Sequence, residues 1–169
     1  MNKTVIIIPS RLDAKRLPNK PLELINNKEM ILHVYEAAKK TNSEVIIATP
    51  DQKIIDAVNQ SKGQAVLTSI DHQTGTDRVY EVFKSHLRSE PDLVVNLQGD
   101  MPNIDHQAIS DLINYMQQGN CDIGTLASSF SSDVELADEN NVKVAVKEQL
   151  IAGKFSEAID FFRVDEKKY

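Results

Sequence analysis

The sequence predicts an α/β fold: an open, mostly parallel sheet with helices on both faces. Three observations predict it. Short, continuous apolar runs rich in Val and Ile recur over roughly the first hundred residues, the mark of strands buried on both faces. Each run is followed by an apolar pattern at helical spacing, and strand-then-helix units of this length join parallel strands by right-handed crossovers. Finally, 169 residues at 41% hydrophobic and 26% charged fit one globular domain over residues 1–169 with a sizeable core. That balance excludes collagenous, disordered and disulfide-scaffold classes.

The elements follow in order. Thr4 to Ile8 is a β-branched run ended by Pro9, a strand at the start of the chain. A loop from Pro9 to about Glu23, stiffened by Pro18 and Pro21, and the pair Asn26-Asn27 precede a helix. Its buried face is Ile31, Val34, Tyr35 and Ala38, at i, i+3, i+4 and i+7. Glu44 to Thr49 repeats the buried-strand pattern. Asp51 is placed to cap the next helix, in which Ile54, Ile55 and Val58 share a face, and Gly63 to stop it. Ala65 to Thr68 is a third strand, followed by the loop 71–76 and a helix carrying Val79, Val82, Phe83 and His86 on one side. Asp92 to Leu97 is a fourth strand, ending at Gln98-Gly99-Asp100, and Ile109, Leu112, Ile113 and Met116 mark the helix after it. Beyond Gly119 the pattern weakens. Ile123 to Ala127 and Val142 to Val146 read as strands, and Phe155, Ile159, Phe161 and Phe162 concentrate apolar side chains near the C-terminus without a defined element.

Charge and cysteine use narrow the function classes. With 19 Lys and Arg against 25 Asp and Glu, the net charge is −6. That gives no global footprint for nucleic acid or an anionic membrane, so an anionic ligand must be held by a few placed groups. Cys121 is the single cysteine, which excludes an intramolecular disulfide and a multi-cysteine zinc site and favours a reducing compartment, the cytoplasm. The run Val5 to Ile8 is too short for a signal segment or a membrane span.

In open α/β sheets ligands gather at the carboxyl ends of the strands, and three segments converge there. The first, Pro9 to Leu22, crowds Arg11, Lys15, Arg16 and Lys20 into one loop of an acidic chain, where guanidinium forks and an ammonium can neutralise a polyphosphate. A solvated basic loop is the alternative. In the second, Gln73 to Arg78, small and hydroxyl residues stand just before a helix. Thr74 or Thr76 caps that helix, or its free N–H groups meet an anion or a base edge. His72, beside this loop, is the histidine placed to touch a substrate, whereas His33 and His86 lie within helices. The third segment carries Asp100, a lone carboxylate past a buried strand between Gly99 and Pro102. It suits a hard cation such as Mg²⁺, or forms a turn. Gln98 is a substrate hydrogen-bonder or an ordinary strand-end amide. The glycines form neither the dinucleotide fingerprint nor a P-loop, and the histidines show no metal-ligand spacing.

Taken together, Ile7-Ile8-Pro9-Ser10-Arg11, Arg16-Leu17-Pro18-Asn19-Lys20-Pro21-Leu22, Asp71-His72-Gln73-Thr74-Gly75-Thr76-Asp77-Arg78 and Asn96-Leu97-Gln98-Gly99-Asp100 resemble, in order and spacing, the signatures of the 3-deoxy-manno-octulosonate (Kdo) cytidylyltransferases, the CMP-Kdo synthetases. Val142-Lys143-Val144 resembles a later strand of that family. The resemblance implies a nucleotide-diphospho-sugar transferase fold of the glycosyltransferase-A type. The implied reaction couples CTP to Kdo with release of pyrophosphate, for lipopolysaccharide synthesis, through in-line attack of the sugar hydroxyl on the α-phosphate. It further implies that Arg11 and Lys20 hold the triphosphate with Arg16 nearby, and that Pro9, Ser10, Thr74 and Gly75 frame cytidine. Arg78 would brace that loop, Gln98 would meet the sugar, and Asp100 would bind Mg²⁺; the family is homodimeric.

The sequence departs from the family pattern at Asn19, where Gly is usual, at Ala14-Lys15, where small or hydroxyl residues are usual, at Met101, where Glu is common, and at Glu157, where Arg is expected. The resemblance also implies a C-terminal part beyond Tyr169, with a second metal-binding aspartate, much of the sugar pocket and much of the dimer interface. Two alternatives stand beside CMP-Kdo synthesis: a cytidylyltransferase for another acidic sugar, such as a sialate or an amino-Kdo, and a non-catalytic CTP-binding fragment.

Overall fold

The structure is a computed structural model that describes residues 3–13, 17–87, 89–119, 121–151 and 153–163. The chain divides into two compact units, Met1–Gly124 and Thr125–Tyr169.

The first unit is built on β1 (Thr4–Pro9), whose six residues are all buried. After the basic loop comes a single 3-10 turn, Lys20–Leu22, entered through Asn19 at φ 58°. The αL region is one that Asn tolerates and most other side chains do not, so this asparagine fits a position where the resemblance leads one to expect glycine. Next, β2 (Leu24–Ile25) and β3 (Lys28–Glu29) form a small antiparallel hairpin. Asn26 and Asn27 both take positive φ, 52° and 63°, the two-residue type I′ turn that strand twist favours. Helix α1 (Met30–Lys39) follows and buries Ile31, Val34 and Ala38, then β4 (Glu44–Thr49) and α2 (Gln52–Gln60).

Two helix-end expectations are corrected here. Asp51 stands at the N-cap of α2, but its side chain makes no capping bond; the carboxylate instead accepts the Leu12 N–H at 2.8 Å, tying the basic loop to the neighbouring strand end. The α2 C-terminus closes with Lys62 N–H to Asn59 O at 2.9 Å and Gly63 N–H to Val58 O at 2.8 Å, the paired bonds of a Schellman motif. The left-handed residue is Lys62, at φ 58°, not Gly63. The glycine is required for space, since a Cβ there would stand 2.7 Å from Val58 Cγ1.

The unit continues with β5 (Ala65–Leu67), α3 (Gly75–Ser85), β6 (Leu93–Asn96) and α4 (His106–Met116). The sheet order is β5-β4-β1-β6, every pair parallel, with Ile7 opposite Ile46 on one side and Asn96 on the other. Alternation along the central strands sends side chains to two faces. Ile6, Ile8, Val45 and Ile47 meet Ile31, Val34, Ile54, Val58, Ile109 and Ile113 of α1, α2 and α4. Val5, Ile7, Ile46 and Ala48 meet Val79 and Val82 of α3. The helices therefore cover both faces, and all four strands run their carboxyl ends toward one edge.

In the second unit, α5 (Asp133–Ala137) precedes β7 (Lys143–Val146) and β8 (Ala158–Phe162), paired antiparallel. The strand expected at Ile123 to Ala127 does not form. Those residues have no regular structure, and Ile123 and Leu126 are exposed, so the apolar letters there reflect no buried face. The C-terminal aromatic cluster resolves into β8, with Phe155, Ile159 and Phe161 exposed. Lys143 is buried, its ammonium donating to the carbonyls of Asp138 and Asn141 and lying 5.8 Å over the Phe130 ring. Glu157, the reversed charge, pairs with Lys147 at 3.1 Å on the surface.

Candidate functional site

A cleft of about 360 Å³ opens at the carboxyl edge of the sheet. Its floor is main chain. Gly99 packs so closely on the end of β1 that a Cβ would stand 2.9 Å from Pro9 O and 3.1 Å from Ile31 Cδ1. A Cβ on Gly75 would reach Pro9 Cγ at 3.1 Å and come within 3.7 Å of Gln98 Oε1. At these two glycines a Cβ is excluded, where the end of β1, the segment after β6 and the start of α3 meet, and a ligand can approach backbone there. Ser10 lies at this floor, 8% exposed, its backbone N–H donating to Ala48 O at 2.9 Å. Its hydroxyl is buried and has no hydrogen-bond partner among the described residues.

One side carries Arg11 and Lys20. Lys20, presented by the 3-10 turn, reaches across to the end of β6 and donates to Asp100 Oδ2 at 3.0 Å. Both groups remain accessible, the side chains being 37% and 56% exposed. Arg11 projects into the same cleft as an exposed cation.

The opposite wall is the loop before α3. Thr74 forms a capping box: its hydroxyl oxygen accepts the Asp77 N–H at 3.1 Å, and the Asp77 carboxylate accepts the Thr74 N–H at 3.1 Å. The Thr74 hydroxyl also donates to Asp77 at 2.6 Å, and this bond, outweighing burial, holds the Asp77 carboxyl below its ordinary value. The cap leaves the helix start ordered at the cleft edge. Arg78, 3% exposed, donates to Thr68 Oγ1 and to Ser69 O, the latter at 2.8 Å. Burial, then the charge of Arg11, push its guanidinium down from the usual value, while Glu81 and Asp51 oppose them. One turn on, Glu81 accepts the Ser69 N–H at 3.0 Å and binds His72 Nε2. Burial raises the Glu81 carboxyl, but the bonds from His72 and Ser69 prevail and leave it below its ordinary value.

The structure thus brings Pro9, Ser10, Arg11, Lys20, Thr74, Gly75, Arg78, Gln98 and Asp100 to one cleft. Arg16, with Ala14 and Lys15, lies outside the described residues. Gln98 is exposed and donates to Asn96 Oδ1 at 3.1 Å. Sequence reasoning missed Pro21 and Met30 as lining residues and missed Glu81, which stands behind the loop; its spacing of three from Arg78 on one helix face was the available signal. No helix among the described residues is long and apolar enough to cross a membrane.

A cation already sits against Asp100, in the form of the Lys20 ammonium, and the carboxylate is a hard oxygen donor. Among the described residues no three His, Cys, Asp or Glu side chains cluster as a metal cage. This donor set fits Mg²⁺, which takes one or two carboxylates and completes its shell with water and phosphate oxygens.

A cytidylyltransferase family model matches residues 5–169. A 3-deoxy-manno-octulosonate cytidylyltransferase of Thermodesulfovibrio yellowstonii is 39% identical over 160 residues, covering 90% of this chain and 63% of its own length. An 8-amino-3,8-dideoxy-manno-octulosonate cytidylyltransferase of Shewanella piezotolerans is 40% identical over 162 residues, covering 94% of this chain and 66% of its own. Among solved structures, that of a CMP:2-keto-3-deoxy-manno-octonic acid synthetase complexed with CTP superposes with a TM-score of 0.79 at 35% identity, over 95% of this chain and 64% of that one. The chain therefore spans slightly less than two thirds of the length of these proteins.

Proposed function

The chain belongs to the cytidylyltransferase family, and from that membership we propose that it transfers CMP from CTP to 3-deoxy-manno-octulosonate, releasing pyrophosphate in the cytoplasm. The observation that carries the reading is the cleft itself. A glycine-lined floor, three cationic side chains and one carboxylate stand at the sheet edge, in a chain 39% identical to a protein named for that activity.

The roles follow from chemistry. Arg11 and Lys20 neutralise the triphosphate, with Arg16 a third cation of the same loop. The backbone around Pro9 and Ser10, with Thr74 and Gly75, receives the nucleoside, because Gly75 and Gly99 leave the main chain open to close approach. Arg78, buried where it lines the cleft, braces the loop, its two bonds fixing Thr68 and Ser69. Gln98 supplies an exposed amide to the sugar. Asp100 would hold Mg²⁺, which when bound offsets the charge of the phosphates and of the departing pyrophosphate.

In the reaction the sugar hydroxyl forms a bond to the α-phosphorus as the bond to the bridging oxygen of the β-phosphate breaks, and the hydroxyl proton passes to solvent. The protein contributes alignment and charge neutralisation. Pyrophosphate release from CTP that requires 3-deoxy-manno-octulosonate is the expected result; CTP binding without release would leave only a nucleotide-binding role. The 40% identity to an 8-amino-3,8-dideoxy-manno-octulosonate enzyme supports that sugar as a second reading, and relative kcat/KM for the two sugars decides between them.

A further inference from the structure

Glu81 and His72 form a pair that the roles above leave unused. The His72 ring lines the cleft, and its Nε2 is bonded to a carboxylate oxygen of Glu81. Glu81 is held from a second side by the Ser69 N–H, at 3.0 and 3.3 Å to its two oxygens. The carboxyl lies below its ordinary value, so at neutral pH it is an anion that only accepts. A carboxylate that only accepts requires the proton on Nε2, and the neutral ring must then carry its lone pair on Nδ1. Nδ1 has no hydrogen-bond partner among the described residues, and with Nε2 consumed it is the ring's remaining polar atom for a ligand in the cleft. The adjoining residues hold this arrangement in place. Arg78 fixes Thr68 and Ser69, Asp71 N–H donates to Ser69 Oγ at 3.1 Å, and the Gln73 amide donates to Asp71 O at 3.1 Å.

We propose that His72 is a specificity residue for the base, its Nδ1 accepting a hydrogen bond from the 4-amino group of cytosine, and that Glu81 is the positioning residue that sets its tautomer. The inference rests on the reading of the cleft as a CTP site. Uracil carries an oxygen where cytosine carries the amino group, so a fixed acceptor would face another acceptor and both would be left unpaired. Such a mismatch in a desolvated site is costly, and polar sites of this kind discriminate against analogues that cannot complete the bond. The pair would thus reject UTP without any charged group touching the base.

The test is binding of CTP and of UTP, with Mg²⁺, to the wild-type protein and to Glu81→Gln, at one mildly alkaline pH. The Gln side chain can still accept from Ser69 N–H through its oxygen while its amide donates to Nε2, moving the ring proton to Nδ1. The expected result is a CTP-over-UTP preference that falls by about tenfold or more, mainly through weaker CTP binding, with little change in thermal stability. Nitrogen-15 NMR of the wild-type imidazole, which needs no variant, should show the Nε2–H tautomer. An unchanged preference in Glu81→Gln, equal binding of CTP and UTP by the wild type, or a wild-type ring that is Nδ1-protonated overturns the inference while leaving the CTP site intact. Failure of the wild type to bind either nucleotide overturns the proposed function and this inference with it.

Discussion

The contact between Lys20 and Asp100 leads to a prediction with an unusual sign. The proposed triphosphate lysine and the proposed metal carboxylate hold each other at 3.0 Å, so each must give up the other when a metal-nucleotide complex enters. With CTP alone, Asp100 both occupies the ammonium and repels the phosphates. The perturbation is Asp100→Asn. The pair is substantially exposed, 37% and 56%, which limits its own worth to roughly 1 kcal/mol or less. Releasing Lys20 should therefore tighten metal-free CTP binding by up to about fivefold, and the lost repulsion acts in the same direction. In saturating magnesium the sign reverses, because the carboxylate that would share the ion is gone. Isothermal titration of wild-type and Asp100→Asn protein with CTP, once in chelator and once in magnesium, reads both effects, and Lys20→Met should weaken binding under both conditions. Metal-free CTP binding by Asp100→Asn that is no tighter than wild type would refute the reasoning.

Three further outcomes are expected. Gly99→Ala places a Cβ 2.9 Å from Pro9 O, backbone that cannot yield cheaply, and should cost roughly 1–3 kcal/mol in denaturant unfolding together with CTP affinity. Thr74→Ala removes both bonds of the Thr74 hydroxyl, the one it accepts from Asp77 N–H and the one it donates to the Asp77 carboxylate, and should cost about 1 kcal/mol. Because the Asp77 carboxyl is lowered from 3.8 by Thr74, the stabilisation tied to it is complete above the unfolded value and lost as pH falls through the folded one. The stability gap between wild type and Thr74→Ala should accordingly narrow in acid. Lys62→Gly relieves a left-handed lysine at φ 58° and should raise stability by up to about 1 kcal/mol, read as a higher Tm.

The parts of the fold legible in the sequence are those governed by local pattern. β1 and β4 could be read because their Ile and Val runs are buried on both faces, and the start of α3 because small and hydroxyl residues stand just before it, Thr74 rather than Thr76 being the cap. The hairpin at Asn26-Asn27 was hidden because strands of two residues have no period to detect, although two adjacent asparagines are a turn signal. Asp51 was misread because a local role, capping α2, competes with a distant one, and the Leu12 N–H 39 residues away prevails. Ile123 to Ala127 was misread because apolar letters alone do not say whether anything covers them. The location of the cleft was legible, since parallel strands deliver their loops to one edge. The Glu81–His72 pair was not, since it joins a loop to the second turn of the following helix and neither residue is unusual alone.

The closeness of Gly99 to the end of β1 has a consequence for how this site can change. A Cβ at Gly99 would stand 2.9 Å from Pro9 O, so no side chain can be introduced at that point to reshape the pocket from below. Change in what the protein accepts falls to the side chains around this floor, among them Arg11, Lys20, His72, Gln73 and Thr74. A library aimed at a new nucleotide should hold Gly75 and Gly99 constant and diversify those side chains, because a Cβ at either glycine would meet Pro9 within 3.1 Å.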